Sequence, residues 1–322
     1  MKFAAGISVV LIATVAFLHD KGMLFSGPRP TPNVLVLSFC SLRKEHLRIY
    51  NPQARPLPNL DRLLAKSLVL RNAVNGLPWT NITNYVEFDW LHQIGFLNRR
   101  KQKLRVPPVP INQNAMENAE FSVSRREVRN YELQYDDGVE KLARTLTNGE
   151  LKKPFYVSSH FKYLHLPYID SINQKDEWKS KFTPRSKQLL EQYLADPRRY
   201  PEKGALLLTL FSDPDLVRGN PFAEKYISDF NNVHMGQIYQ ILSDKALLDS
   251  WRTSQFYRED LQMLDEAYYL KLLNLDHVLE PVLKLFEDGG ELAENTILVF
   301  TGDHGESLME NDVFLHSNNI GD

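Results

Sequence analysis

Three short and largely apolar runs, each far from the next along the chain, constrain the possible folds more than any other feature. They occupy residues 34–39, 154–159 and 296–300. Runs of this kind are typical of strands that are buried on both faces of a parallel sheet. Between them, residues 58–67, 136–146 and 256–288 show helical spacing of apolar positions, and Pro281 is expected to divide the last segment. The alternation predicts an α/β fold with a mostly parallel central sheet and helices on both faces.

The rest of the chain adds a further strand and an insertion to this prediction. Residues 68–74 are expected to form the additional strand. Residues 170–255 are rich in charge, tyrosine and helix-forming residues, which predicts a helical insertion. We therefore expect one α/β domain at residues 33–322 that carries the insertion at about 170–255.

The N-terminal residues have the pattern of an export signal. Lys2 precedes an apolar run at residues 3–18, as in a signal peptide or a single N-terminal membrane anchor. The run is shorter than the roughly 20 residues that span a bilayer comfortably, and both interpretations stay open. We expect residues 1–24 to be this segment and residues 25–32 to be a linker. The protein is then extracytoplasmic, periplasmic if bacterial, and any membrane contact is made through the N-terminal segment.

Charge and cysteine content exclude several classes of function. The chain has 38 Lys and Arg against 40 Asp and Glu, a formal charge of −2 that does not indicate nucleic-acid binding. The one cysteine, Cys40, excludes an intrachain disulfide framework and any paired-cysteine metal motif.

Polar residues follow each of the three predicted core strands. Cys40 follows the first strand, His160 and His165 follow the second, and Asp303 and His304 follow the third. The carboxyl ends of parallel strands collect reactive groups, and these residue types indicate a hydrolytic metal site. Thr80 precedes a predicted helix and is suited to act as a nucleophile there, although it could equally serve as a helix cap.

The order of several motifs resembles the sulfatase branch of the alkaline phosphatase superfamily. The segments that carry the resemblance are residues 33–39, 41–43, 58–61, 72–80 and, most specifically, 300–308 with its Asp-His-Gly-Glu sequence. The segment at residues 300–308, with its continuation to His316, also resembles the phosphoethanolamine transferases. The resemblance implies an alkaline-phosphatase-like fold and a metal-dependent hydrolase or transferase. Its substrate would be a phosphate, phosphonate or sulfate ester, either a small molecule or a lipid or glycan headgroup.

The resemblance also implies roles for individual residues. Asp303 and His304 match positions that bind metal, and Thr80 matches the nucleophile. His165 and His316 match positions that hold the anionic oxygens of the substrate or protonate the leaving group. His160 is a weaker candidate for such a role.

Two departures from the family pattern bear on the chemistry. Cys40 stands where the family has a metal-binding carboxylate, and a thiolate ligand favours zinc over calcium. No Cys/Ser-x-Pro-x-Arg motif surrounds Thr80, which argues against formylglycine sulfatase chemistry and favours a covalent intermediate on Thr80. The alternative interpretation is a catalytically degenerate relative, in which Cys40 ends metal binding and the protein has a binding or assembly role. A third interpretation is that the chain is incomplete at residue 322.

Overall fold

The structure is a computed structural model that describes residues 32–71, 120–123, 126–133, 136–149, 151, 153, 155–169, 181–195, 203–211, 213–310 and 313–315. The chain divides into two compact units. The first unit comprises Met1–Tyr163, Leu275–Glu306 and His316–Asp322, and the second comprises Leu164–Asn274 and Ser307–Leu315.

The helices and strands alternate along the chain as an α/β protein requires. Their order is β1 (Asn33–Phe39), α1 (Pro58–Ala65), β2 (Glu120–Val123), β3 (Arg126–Leu133), α2 (Asp136–Thr147), β4 (Phe155–Phe161), α3 (Pro184–Ala195), α4 (Lys203–Phe211), α5 (Pro221–Glu224), α6 (Met235–Leu242), α7 (Lys245–Thr253), α8 (Tyr257–Val278), α9 (Glu280–Glu287), α10 (Glu291–Glu294) and β5 (Thr296–Gly302). Short 3-10 turns lie at Lys44–His46 and Pro214–Val217.

The described strands of the first unit form one sheet in the order β2–β3–β4–β1–β5. β1 lies parallel to β4 and β5, β3 lies parallel to β4, and β2 pairs with β3 in the antiparallel direction. Phe39 in β1 is opposite Phe161 in β4 and Gly302 in β5. These three strands therefore end at the same level, and the residues that follow them emerge at one edge of the sheet.

Side chains at both ends of β1 fix its register with its neighbours. The Asn33 side chain donates to Thr296 Oγ1 at 3.2 Å and accepts from the backbone N–H of Phe155 at 3.2 Å. At the other end, the buried Phe39 ring stacks on Phe161 at 4.8 Å between centroids and packs on Phe300 at 4.5 Å. Because both ends are held, a slip of one residue between these strands would break polar contacts at one end and aromatic packing at the other.

Helix α1 begins against a buried carboxylate from a distant part of the chain. Asp276, which is fully buried, accepts from the backbone N–H groups of Asn59 at 3.1 Å and Leu60 at 2.7 Å. Pro58 at the start of α1 has no N–H group, and Leu57 offers no capping side chain. Asp276 thus satisfies the amide donors that a local capping residue usually satisfies.

The second unit is mainly helical in its described residues, with one antiparallel bridge between Leu308 and Phe314 among them, and has its own apolar core. Residues 204–211, most of helix α4, are buried, and Trp251 in α7 is completely enclosed. The Trp251 indole donates to the buried Asp260 at 2.7 Å. Asn220 and Asp244 cap α5 and α7 by accepting hydrogen bonds from the first backbone N–H groups of those helices.

The predicted α/β class with a mostly parallel sheet is confirmed. The division of the 256–288 segment is also present, since α8 ends at Val278 and α9 begins at Glu280 with Pro281 in its first turn. The strand predicted at 68–74 is wrong over residues 68–71, where the backbone forms no strand and Leu68 is 75% exposed. Apolar character alone did not determine the conformation of this segment, because strand preference depends on the packing around a residue.

The predicted N-terminal segment at 1–24 and all but the last residue of the predicted linker lie outside the described residues. Within the part of the chain that the structure describes, no helix has the length and apolar character needed to cross a membrane.

Candidate functional site

The register of the sheet brings Cys40 and Asp303 together. Each residue directly follows one member of the Phe39–Gly302 pair at the ends of β1 and β5. Backbone hydrogen bonds continue past the strands, from Asp303 N–H to Phe39 O at 3.1 Å and from Cys40 N–H to Phe161 O at 2.9 Å. The two side chains are therefore neighbours because parallel strands that end at the same level lie about 5 Å apart.

His304 completes a cluster of three potential metal ligands in the first unit. Cys40 Sγ lies 3.2 Å from His304 Nε2, and Asp303 Oδ2 lies 3.8 Å from the same nitrogen. The potential ligand atoms all lie within 4.8 Å of one another. The three residues are 2%, 0% and 5% exposed in the order Cys40, Asp303 and His304. The cluster is thus a compact, buried set of one thiol, one carboxylate and one imidazole.

Backbone contacts fix the orientation of the His304 ring. Its Nδ1 atom lies 2.8 Å from the carbonyl oxygen of Gly305, and a carbonyl can only accept, so Nδ1 carries a proton. In the neutral ring, Nε2 then offers its lone pair toward Cys40 and Asp303. The backbone N–H of His304 also donates to Asp303 Oδ1 at 2.8 Å, which holds that carboxylate beside the ring. Metal-binding histidines are commonly oriented in this way by a partner on the other nitrogen.

The turn after β1 has an unusual backbone. Ser41 has φ of +61°, in the left-handed region that non-glycine residues seldom adopt, and its side chain is completely buried. Leu42 then donates its backbone N–H to His304 O at 3.1 Å, which joins the two loops that carry the cluster. Backbone strain of this kind is concentrated at functional sites, where the surrounding contacts maintain it.

The close approach of these loops depends on Gly302. A Cβ atom at this position would lie 3.3 Å from Leu42 Cβ and 3.6 Å from His304 O. The glycine therefore lets the turn after β1 pack against the end of β5, directly beside the cluster.

The donor set fits zinc better than calcium. Ligand atoms of a tetrahedral zinc site at bond lengths of 2.0–2.3 Å lie roughly 3.3–3.6 Å apart, and the 3.2 Å and 3.8 Å separations in the cluster lie on either side of that value. Calcium takes six to eight oxygen ligands, whereas Cys40 and His304 offer sulfur and nitrogen. The residues present thus suit a zinc-type ion, and the role of all three as metal ligands stays a prediction.

The other predicted site residues are not part of this described cluster. Thr80 and His316 lie outside the described residues. The side chain of His160 is likewise not described, although its backbone lies in β4. His165 is described and belongs to the second unit.

In the second unit, His165 has defined contacts of its own. Its Nδ1 atom donates to Leu166 O at 3.1 Å, and the Tyr239 hydroxyl lies 2.5 Å from Nε2 and 3.3 Å from Nδ1. The buried Lys271 ammonium donates to the carbonyl oxygens of His165 and Pro167. Neither Tyr239 nor Lys271 is predicted as a site residue from the sequence. The available signal for Lys271 was a lone cation within the apolar sequence Leu270-Lys271-Leu272-Leu273.

Comparison with known proteins gives a family match and several similar structures, of which two are described here. The model of the sulfatase family matches residues 110–320. The structure of BT4656 in complex with its substrate D-glucosamine-2-N,6-O-disulfate is 16% identical with a TM-score of 0.51, over 88% of this chain and 67% of that chain. A phosphonate monoester hydrolase of Agrobacterium radiobacter is 13% identical with a TM-score of 0.45, over 88% of this chain and 64% of that one. No match was found among curated proteins. The chain spans about two thirds of the length of these two structures.

Proposed function

Because the chain belongs to the sulfatase family, we propose that it is a metal-dependent hydrolase or transferase that acts on phosphate, phosphonate or sulfate esters. The observation that carries the proposal is the buried cluster of Cys40, Asp303 and His304 at the carboxyl ends of β1 and β5. The disulfated glucosamine substrate of BT4656 supports an anionic ester as the ligand class. The ester could belong to a small molecule or to a lipid or glycan headgroup.

In this proposal Cys40, Asp303 and His304 hold the ion, and Thr80 is the fourth ligand. A bound zinc ion would favour loss of the Thr80 hydroxyl proton and neutralise charge on the ester oxygens. The hydrogen bond from Nδ1 to Gly305 O orients the His304 ring for metal binding. The backbone N–H of His304 donates to the Asp303 carboxylate and holds it beside the ring. Zinc is favoured over calcium because Cys40 replaces the family carboxylate.

The proposed reaction proceeds through a covalent ester on Thr80. The Thr80 oxygen forms a bond to phosphorus or sulfur while the bond to the leaving oxygen breaks, and that oxygen departs as an alcohol after taking a proton. Water or an acceptor alcohol then cleaves the Thr80 ester and restores the hydroxyl group. His165 and His316 would hold the anionic oxygens or supply the proton to the leaving group. The sequence Leu77-Pro78-Trp79-Thr80-Asn81 lacks the formylglycine motif and is consistent with a threonine nucleophile.

A second candidate function follows from the contact between Cys40 and His304. At 3.2 Å, the thiol can donate to Nε2, and this hydrogen bond satisfies both side chains without a metal ion. A catalytically degenerate protein with a binding or assembly role would keep the fold and this contact. It would contain no stoichiometric metal and would turn over no ester.

We also propose that the protein is extracytoplasmic, on the basis of the cationic and apolar residues 2–18. Fractionation of cells that express the full chain tests this location. Recovery in the cytosolic fraction would contradict it.

Metal analysis combined with an ester panel tests the proposed activity. The purified chain is assayed for zinc and for turnover of aryl phosphate, phosphonate and sulfate esters, alongside Thr80→Ala and Asp303→Asn. Thr147→Ala is the matched control, because the Thr147 hydroxyl is exposed and contacts only backbone carbonyls of its own helix among the described residues. We expect both site variants to lose turnover and Thr147→Ala to keep it. Turnover that persists in Thr80→Ala would remove Thr80 from the reaction.

A further inference from the structure

A buried lysine holds the backbone that carries His165. Lys271 lies in the middle of α8 and is 3% exposed. Its ammonium group donates to His165 O at 3.1 Å and to Pro167 O at 2.5 Å. Both acceptors belong to the same three-residue segment, so one side chain fixes the position of residues 165–167 relative to the helix.

The apolar surroundings of Lys271 make the desolvation free energy of its ammonium group unfavourable. Tyr268 and Leu272 on α8 are fully buried, as is the neighbouring Leu275. An ammonium group that leaves water is stabilised there through its hydrogen bonds, and a neutral side chain of the same length would avoid the desolvation cost. The hydrogen bonds to the two carbonyls hold the 165–167 backbone in place, which an apolar side chain at position 271 would not do.

The imidazole of His165 is held as well as its backbone. Nδ1 donates to Leu166 O, inside the segment that Lys271 fixes. On the other side the Tyr239 hydroxyl lies against the ring, closest to Nε2. The two rings meet edge to face, with centroids 5.8 Å apart and planes at 72°. His165 thus has one defined ring orientation, and the lysine secures the backbone on which that orientation depends.

We propose that Lys271 is a positioning residue for His165, fixing the 165–167 segment so that the imidazole meets the ester in one orientation. This inference rests on the proposed function, in which His165 holds anionic oxygens or protonates the leaving group. Lys271 bonds to backbone carbonyls rather than to substrate and acts through His165. Such preorganisation lowers the barrier because the histidine need not be ordered during the reaction.

The Lys271→Met variant tests the proposal, since methionine fills much of the same space without donors. We expect the nitrogen-15 NMR signals of the His165 ring to broaden or split, and kcat to fall roughly tenfold with little change in KM. Combined with His165→Ala, Lys271→Met should cause no further loss, because both changes remove the same contribution. Lys245→Met is the matched control, since Lys245 is exposed and pairs with Asp249 in the same unit.

A second variant covers the case in which Lys271→Met does not fold, and the NMR spectrum reports on His165 independently of turnover. If Lys271→Met fails to fold, Lys271→Gln decides, because its amide nitrogen ends one bond short of the ammonium position and cannot keep the hydrogen bonds to both carbonyls, so the His165 signals should broaden or split in this variant as well. Unchanged His165 signals in a folded Lys271 variant would overturn the positioning role, whatever the activity of the chain. So would losses from Lys271→Met and His165→Ala that multiply in the double variant. Wild-type turnover in His165→Ala alone would instead overturn the proposed function of His165, and the NMR spectrum would still decide whether Lys271 orders the segment.

Discussion

Cys40 Sγ and His304 Nε2 lie 3.2 Å apart, although the two residues are separated by 264 positions in the chain. The contact exists because β1 and β5 are parallel and end in register at Phe39 and Gly302. Gly305 O holds the opposite ring nitrogen, so Nε2 is directed at the thiol. This geometry places a thiol beside an imidazole and a carboxylate at the ends of β1 and β5, and the proposed preference for zinc rests on it.

The Cys40→Asp variant is expected to change the metal preference of the site. Restoring an oxygen ligand should weaken zinc binding and strengthen binding of magnesium, manganese or calcium, because these ions prefer oxygen donors. Calorimetric titration of the metal-free protein with each ion measures the change directly. Cys40→Ser is the control for loss of sulfur without gain of charge. An unchanged order of affinities in Cys40→Asp would show that residue 40 does not touch the ion.

Gly302→Ala should displace the backbone beside the Cys40, Asp303 and His304 cluster without changing any of the three side chains. The new Cβ would lie 3.3 Å from Leu42 Cβ, which is fixed to the backbone, so the turn after β1 must move. We expect a lower unfolding temperature and weaker zinc binding, both measurable by thermal scans with and without metal. Gly236→Ala is the control, because nothing lies within 4 Å of its Cβ position and alanine is the better helix former. If Gly302→Ala binds zinc as tightly as the wild type, the close approach has no part in metal binding.

Asp260 should make the protein less stable as the pH rises. Burial raises the pKa of Asp260 from 3.8 to about 8. Between these values the folded state keeps a proton that the unfolded state has lost, so the free energy of unfolding falls with rising pH. The slope attributable to this group is at most about 1.4 kcal/mol per pH unit. The free energy of unfolding, measured from pH 4 to 8, should decline less steeply in Asp260→Asn than in the wild type.

Asp249→Asn is the matched control for this pH series. Asp249 is on the surface, and a hydrogen bond from Lys245 lowers its pKa, so its contribution to stability is lost on acidification instead. A decline that is equally steep in Asp260→Asn and in the wild type would contradict the assignment to Asp260.

Removing the Asp276 carboxylate should loosen the start of α1. Asp276→Ala leaves the N–H groups of Asn59 and Leu60 without their acceptor and opens a small cavity. We expect a loss of about 2–4 kcal/mol in the free energy of unfolding. Asp276→Asn should lose less, because its amide oxygen can still accept from one of these groups. Chemical denaturation measures the free energy of unfolding of both variants. Asp288→Ala is the control, because Asp288 is exposed. Equal stability of Asp276→Ala and Asp288→Ala would contradict the capping role.

The sequence was sufficient to place Cys40 next to Asp303. Largely apolar runs predicted the core strands, and polar residues that follow parallel strands meet at one edge whatever the details of the loops. The orientation of His304 could not be predicted in this way, since it depends on a carbonyl whose direction is set by the turn at Gly305. The left-handed backbone conformation of Ser41 could not be predicted from the sequence either, because serine has no local preference for that conformation.

The errors and omissions have similar causes. Leu68 suggested a strand because apolar character alone does not reveal whether a sheet edge is available. Lys271 was overlooked because a single cation in an apolar helix is usually directed toward solvent. Its partners are carbonyl groups of a loop more than 100 positions away, which no local pattern can predict.

X-ray absorption at the zinc edge of the zinc-loaded chain tests the central claim most directly. The account predicts one sulfur neighbour at about 2.3 Å among nitrogen and oxygen neighbours, and loss of that sulfur in Cys40→Ser. A zinc spectrum with only nitrogen and oxygen neighbours in the wild type, or a folded chain that takes up no zinc, would contradict it.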